Sequence, residues 1–109
     1  NNTAIGFCSM YTNTTGDFNA AVGTFALCGN TTGRFNSAVG YQVLKVNTIG
    51  SSNNAFGRQA LTSNTTGSGN VAVGDQVLFS NTTEPFEPSV IAPKSTLFFM
   101  LFMLSFNSD

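Results

Sequence analysis

Apolar positions in this chain recur with a period of seventeen residues. One apolar slot holds Ile5, Val22, Val39, Phe56 and Val73, and a second holds Met10, Leu27, Leu44, Leu61 and Leu78. Blocks beginning at Asn2, Asn19, Asn36, Asn53 and Asn70 align without a gap, with the consensus N-x-A-V-G-x-Q-A-L-x-x-N-T-T-G-x-x. Four slots are identical in all five blocks. They are the opening Asn, the alanine (Ala4, Ala21, Ala38, Ala55, Ala72), the glycine (Gly6, Gly23, Gly40, Gly57, Gly74) and the second asparagine (Asn13, Asn30, Asn47, Asn64, Asn81). These fifteen Ala, Gly and later Asn residues are the structural repeat positions. A second glycine stands at Gly16, Gly33, Gly50 and Gly67, with Glu84 in its place in the last block.

A unit this short cannot bury a core alone, but stacked copies can, because each slot lies over the same slot of the next coil. The segment x-Ala-Val-Gly is short, β-branched at its centre and bounded by Asn and Gly, which predicts a strand. Five such strands at about 4.8 Å would make a rod of roughly 24 Å. Asn-Thr-Thr-Gly predicts a turn, and stacked Asn and Thr side chains would form hydrogen-bond ladders along the rod. The intervening x-Gln-Ala-Leu-x-x segment is ambiguous. Gln, Ala and Leu favour a helical turn, whereas Val43 and Val77 favour extended backbone. The expected fold is therefore mainly β, a repetitive parallel β-solenoid or β-roll with irregular or short helical turns between strands. The repeats span residues 1–86 (2–18, 19–35, 36–52, 53–69 and 70–86), and 87–109 is a non-repeat tail. The row Ile5, Val22, Val39, Phe56 and Val73 is expected to point inward. With two sizeable apolar residues per coil, the core is thin for one chain, and a core shared among several chains is expected.

Composition narrows the function. Charged residues make up 8% of the 109 positions, net charge is −1, and there is no His. Four basic residues do not make a nucleic-acid footprint, and five carboxylates with two Cys and no His leave little for a metal site or an acid–base pair. No catalytic, metal or cofactor residue is assigned. The start Asn1-Asn2-Thr3 shows no basic and apolar leader and reads as part of a longer polypeptide.

The repeat resembles the tandem repeats of phage tail-fibre and fibre-like surface proteins. It is also similar to the YadA-type head repeats of trimeric autotransporter adhesins, whose somewhat shorter unit has the form S-G-x-x-S-x-A-I-G. The stretch Thr15-Gly16-Asp17-Phe18-Asn19-Ala20-Ala21-Val22-Gly23 carries this likeness, as do residues 32–40 and 66–74. The resemblance covers residues 2–86. It implies a trimeric β-roll or solenoid, an extracellular, cell-surface or virion location, and a host-surface receptor or glycan as partner.

The remaining candidates are weighed individually. Cys8 and Cys28 fall in the seventh and tenth slots of adjacent blocks. Three residues of extended chain span about 10 Å, beyond disulfide reach, so two separate thiols are expected. Asn1, Asn13, Asn30, Asn64 and Asn81 each begin an N-x-T glycosylation pattern, but four share one repeat slot and read as turn chemistry. Asp17, Asp75 and Glu84 occupy different slots and do not converge as calcium ligands. Phe18, Arg34, Phe35, Tyr41 and Arg58 are candidates for a receptor-contact surface. In the tail, nine of the ten residues from Leu97 to Phe106 are apolar, too short a run for a membrane span of about 20 residues.

The leading expectation is a structural or adhesive repeat segment of a surface adhesin or tail fibre. The alternative is the non-catalytic part of a glycan-cleaving, tailspike-like solenoid enzyme, whose site would need carboxylates facing one substrate. A Thr-based ice- or mineral-binding face is a third, opposed by the placement of the Thr pairs in a turn.

Overall fold

A computed structural model describes residues 1–82 of the chain. Five three-residue strands form one parallel sheet in chain order: β1 (Thr3–Ile5), β2 (Ala20–Val22), β3 (Ser37–Val39), β4 (Asn54–Phe56) and β5 (Val71–Val73). Each strand pairs with the next at the repeat spacing, so that Ala4, Ala21, Ala38, Ala55 and Ala72 stand in one row. The architecture is a β-solenoid, as the seventeen-residue period requires. The tail from 87 onward lies outside the described residues.

Strand alternation decides which side chains enter the core. Successive Cβ atoms point to opposite faces. The central alanines Ala21, Ala38, Ala55 and Ala72 are fully buried, so their neighbours on both sides must face out. The row expected to point inward therefore points outward: Ile5 is 60% exposed, Val22 36%, and Val39, Phe56 and Val73 each 39%. Hydrophobicity suggested that both Ala and Val were interior, but adjacent residues of one strand cannot share a face.

The core is completed by the middle segment. Leu27, Leu44 and Leu61 are fully buried, with Met10 and Leu78 nearly so, and the slot before them adds Ala26, Val43, Ala60 and Val77. This places two adjacent residues inside, which a strand does not achieve. The backbone does so by placing left-handed residues at alternate positions. Gln42 and Leu44 have φ of 57° and 51°, and the equivalent residues repeat this in every coil. Short turns follow, in which Asn47 N–H donates to the Leu44 carbonyl at 3.2 Å and Cys28 N–H to the Phe25 carbonyl at 3.3 Å. Left-handed backbone costs an L-residue about 1–2 kcal/mol. It is offset here because the N–H groups of the two left-handed residues find partners in the coils on either side: Gln42 N–H donates back to the Thr24 carbonyl at 2.9 Å, and Leu44 N–H forward to the Ala60 carbonyl at 3.1 Å. The segment is irregular, as expected, and built of turns; neither the helical preference of Gln, Ala and Leu nor the extended preference of Val is realised, a case of tertiary context overriding propensity.

The Ala row sets a sharp size limit. Ala38→Leu adds bulk in a fully buried, tightly stacked position, and about 1–3 kcal/mol of destabilisation is expected. Ser37→Leu, on the outer side of the same strand, should shift stability by no more than about 0.5 kcal/mol. Thermal melts of the two variants beside the wild type check the assignment of faces.

Candidate interaction surface

The fifteen repeat positions build the scaffold that presents the surface. Asn13, Asn30, Asn47, Asn64 and Asn81 form a continuous amide ladder. The Asn30 Nδ2 donates to Asn13 Oδ1 at 2.8 Å, Asn47 to Asn30 at 2.9 Å, Asn64 to Asn47 at 2.8 Å and Asn81 to Asn64 at 3.3 Å. The second amide hydrogen of four of them goes to the glycine carbonyl three residues on: Gly16, Gly33, Gly50 and Gly67, at 2.9–3.1 Å. The opening asparagines form a second buried ladder. Asn19 Oδ1 accepts the Asn36 N–H at 2.9 Å, while Asn19 Nδ2 donates to the Gly33 carbonyl at 2.9 Å, and Asn36 and Asn53 repeat the pattern. Those glycine carbonyls thus gather both ladders. Among the described residues, no buried side-chain nitrogen or oxygen lacks a partner.

The opening asparagines were not singled out as interior. Their identity in all five blocks was the available signal, because a turn residue needs no such constancy whereas a ladder rung does. The glycines of the strand ends are required sterically: Gly40 has φ +133°, and a Cβ there would meet the Gly57 carbonyl carbon at 2.9 Å.

Outside this spine, residues of equal slot form parallel rows. The outer sheet face carries Ile5, Val22, Val39, Phe56 and Val73 as an unbroken, uncharged ribbon one residue wide. Beside it run Tyr41, Arg58 and Asp75. Arg58 Nε and Nη2 donate to the two Asp75 carboxylate oxygens at 2.7 and 2.9 Å. This hydrogen-bonded pairing lowers the Asp75 pKa and raises that of Arg58, but both groups are solvated and the pair adds little stability.

A second outer row is aromatic. The Phe18 and Phe35 rings stack with centroids 5.2 Å apart and planes 5° from parallel, and the Arg34 guanidinium lies 5.9 and 6.0 Å from the two centroids. The sequence candidates therefore separate into two groups. Phe18, Arg34 and Phe35 come together, whereas Tyr41 and Arg58 lie along the sheet-side row.

The other candidates resolve as follows. Asn30 and Asn64 are fully buried with their amides engaged in the ladder, which blocks glycosylation of the folded chain there. Asp17 and Asp75 belong to the first and last coils, and Asp75 is held by Arg58; Glu84 lies outside the described residues. Among the described residues, no helix is long and apolar enough to cross a membrane. Cys8 and Cys28 are both half-buried free thiols, and the tight turn brings them together where an extended coil would separate them. No protein-family profile, curated protein or solved structure matches this chain.

Proposed function

We propose that this chain is a rod-forming segment of a fibrous surface assembly, a surface adhesin or a viral tail fibre. In it, three copies pack side by side and the outer slots contact a host receptor or glycan. The observation that supports this reading is the unbroken ribbon Ile5, Val22, Val39, Phe56 and Val73 on the outer face of the sheet. An exposed apolar stripe of this kind costs solvation energy and is the mark of a contact surface. A second copy of the same rod is the partner that matches it without adjustment, since its side chains recur at the same coil rise of about 4.8 Å and carry no opposing charge. The number three is what the likeness to trimeric head repeats implies.

The adhesive half of the proposal rests on repetition. The Phe18–Arg34–Phe35 cluster supplies cation and aromatic faces, and three rods would present it three times. Weak contacts repeated in this way gain avidity without a new interaction. No bond-making chemistry is assigned to the chain.

Rod formation has a direct test. Tandem duplication of residues 19–69 adds three coils in register. Small-angle scattering should show the long axis extended by about 14 Å with the cross-section unchanged. A swollen cross-section, or loss of the β signal in circular dichroism, would refute a stacking rod.

A further inference from the structure

The first two coils hold the only cysteines of the chain, Cys8 and Cys28. Cys8 occupies the same slot as Phe25 in the next coil, and Cys28 lies three residues beyond Phe25. The Phe25–Cys28 turn is closed by the Cys28 N–H donating to the Phe25 carbonyl at 3.3 Å, and Phe25 is held to the first coil by its N–H on the Phe7 carbonyl at 2.9 Å. Thr12 of the first coil clamps the Cys28 carbonyl through its N–H at 3.1 Å and its Oγ1 at 2.8 Å. The two cysteines are thus one coil rise and one turn apart.

The next coil repeats the same juxtaposition with different residues. Lys45 and Phe25 occupy the slots of Cys28 and Cys8, one coil further on. There the Lys45 Nζ lies 5.0 Å from the Phe25 ring centroid. A tenth-slot side chain therefore reaches back to the seventh-slot side chain of the preceding coil, and in the first pair both are thiols.

We propose that Cys8 and Cys28 form a reversible disulfide that staples the first coil to the second. Both thiols are half-buried, so a small-molecule disulfide can reach them. One thiol, as thiolate, attacks a sulfur of that oxidant and expels one small thiolate. The second cysteine then attacks the mixed disulfide and expels the other. One protein S–S bond forms and one S–S bond of the oxidant breaks. The two protein sulfurs are oxidised, and the two protons pass to the released thiols. Burial, then the neighbouring Cys8, holds the Cys28 pKa above its ordinary value, with Lys45 pulling the other way, so exchange should quicken with rising pH. The staple ties the coil of β1 to the coil of β2, adjacent strands of the sheet.

The test equilibrates the full chain with mixtures of oxidised and reduced glutathione, folded and in denaturant, and reads the products by intact mass. The folded protein should give the mass of a single chain less two hydrogens, without a glutathione adduct or a covalent link between chains. Its intramolecular disulfide should be favoured about tenfold or more over that of the denatured chain. Cys8→Ser and Cys28→Ser should each stop at a single glutathione adduct. Moving the pair one coil on, with Phe25→Cys and Lys45→Cys in a chain carrying both serine substitutions, should restore closure. A folded wild type that accumulates two adducts, links between chains, or closes no better than the denatured chain would overturn the proposal.

Discussion

Asn47→Leu should cost about 3–5 kcal/mol, close to the loss of a large core side chain. The substitution preserves volume roughly and adds hydrophobicity, so a simple burial argument would make it neutral. The ladder reverses that expectation. Asn47 is fully buried, donates to Asn30 Oδ1 and the Gly50 carbonyl, and accepts from Asn64 Nδ2. Leucine would leave Asn30 Oδ1 and one Asn64 N–H buried without partners, at about 1–3 kcal/mol each, besides losing the made bonds. Asn47→Asp is the isosteric check. It sets a carboxylate oxygen against Asn30 Oδ1 in a dry interior, where burial raises the carboxyl pKa above its unfolded value. Its destabilisation should be greatest at neutral pH and should lessen as pH falls through that raised value, when the neutral carboxyl can donate one hydrogen bond. Denaturant titrations at neutral and acid pH measure both effects.

Gly40→Ala should be nearly as damaging, at about 2–4 kcal/mol, although only a methyl is added. Two independent penalties combine. The backbone at φ +133° is one that residues with a side chain rarely adopt, and the new Cβ would meet the carbonyl of Gly57 in the adjoining coil, which cannot yield without moving that coil. Gly69→Ala provides the comparison. Gly69 has φ +75° but open space around its Cβ position, and Phe18, Phe35 and Ser52 adopt similar backbone in the same slot. Its cost should stay near about 1 kcal/mol. Equal losses in the two variants would mean that backbone strain alone, and not the close stacking of coils, restricts the glycine row.

The stacking of coils was legible because seventeen-residue identity at Ala, Gly and Asn leaves few other architectures, and the strands lie where x-Ala-Val-Gly falls. The faces were not legible by the same means. Hydrophobicity placed Val39 inside with Ala38, whereas strand alternation places one in and one out. The middle segment was hidden for a different reason: its left-handed residues are Gln and Leu, whose local preferences give no hint of it. Only contacts between coils make that geometry worthwhile, and those are absent from any single repeat. The same hidden turn concealed the approach of Cys8 and Cys28, because a residue count converts to distance only when the backbone is known. Of the outer surface, the aromatic cluster could be named but not grouped, since Phe18 and Phe35 share a slot while Arg34 joins them through its long side chain.

Two faces of one strand thus carry two tasks: Ala on the inside allows coils to close tightly, and Val, Ile or Phe on the outside offers a stripe to another rod. Sedimentation equilibrium of the wild-type chain beside Val39→Lys/Phe56→Lys tests this most directly. Both positions are outward and exposed, so the variant should keep its β circular dichroism while the charges break contact between rods. The expected result is a trimer mass for the wild type and a folded monomer for the variant. A wild type that is a folded, cooperative monomer at micromolar concentration, or a variant that still assembles, would contradict it.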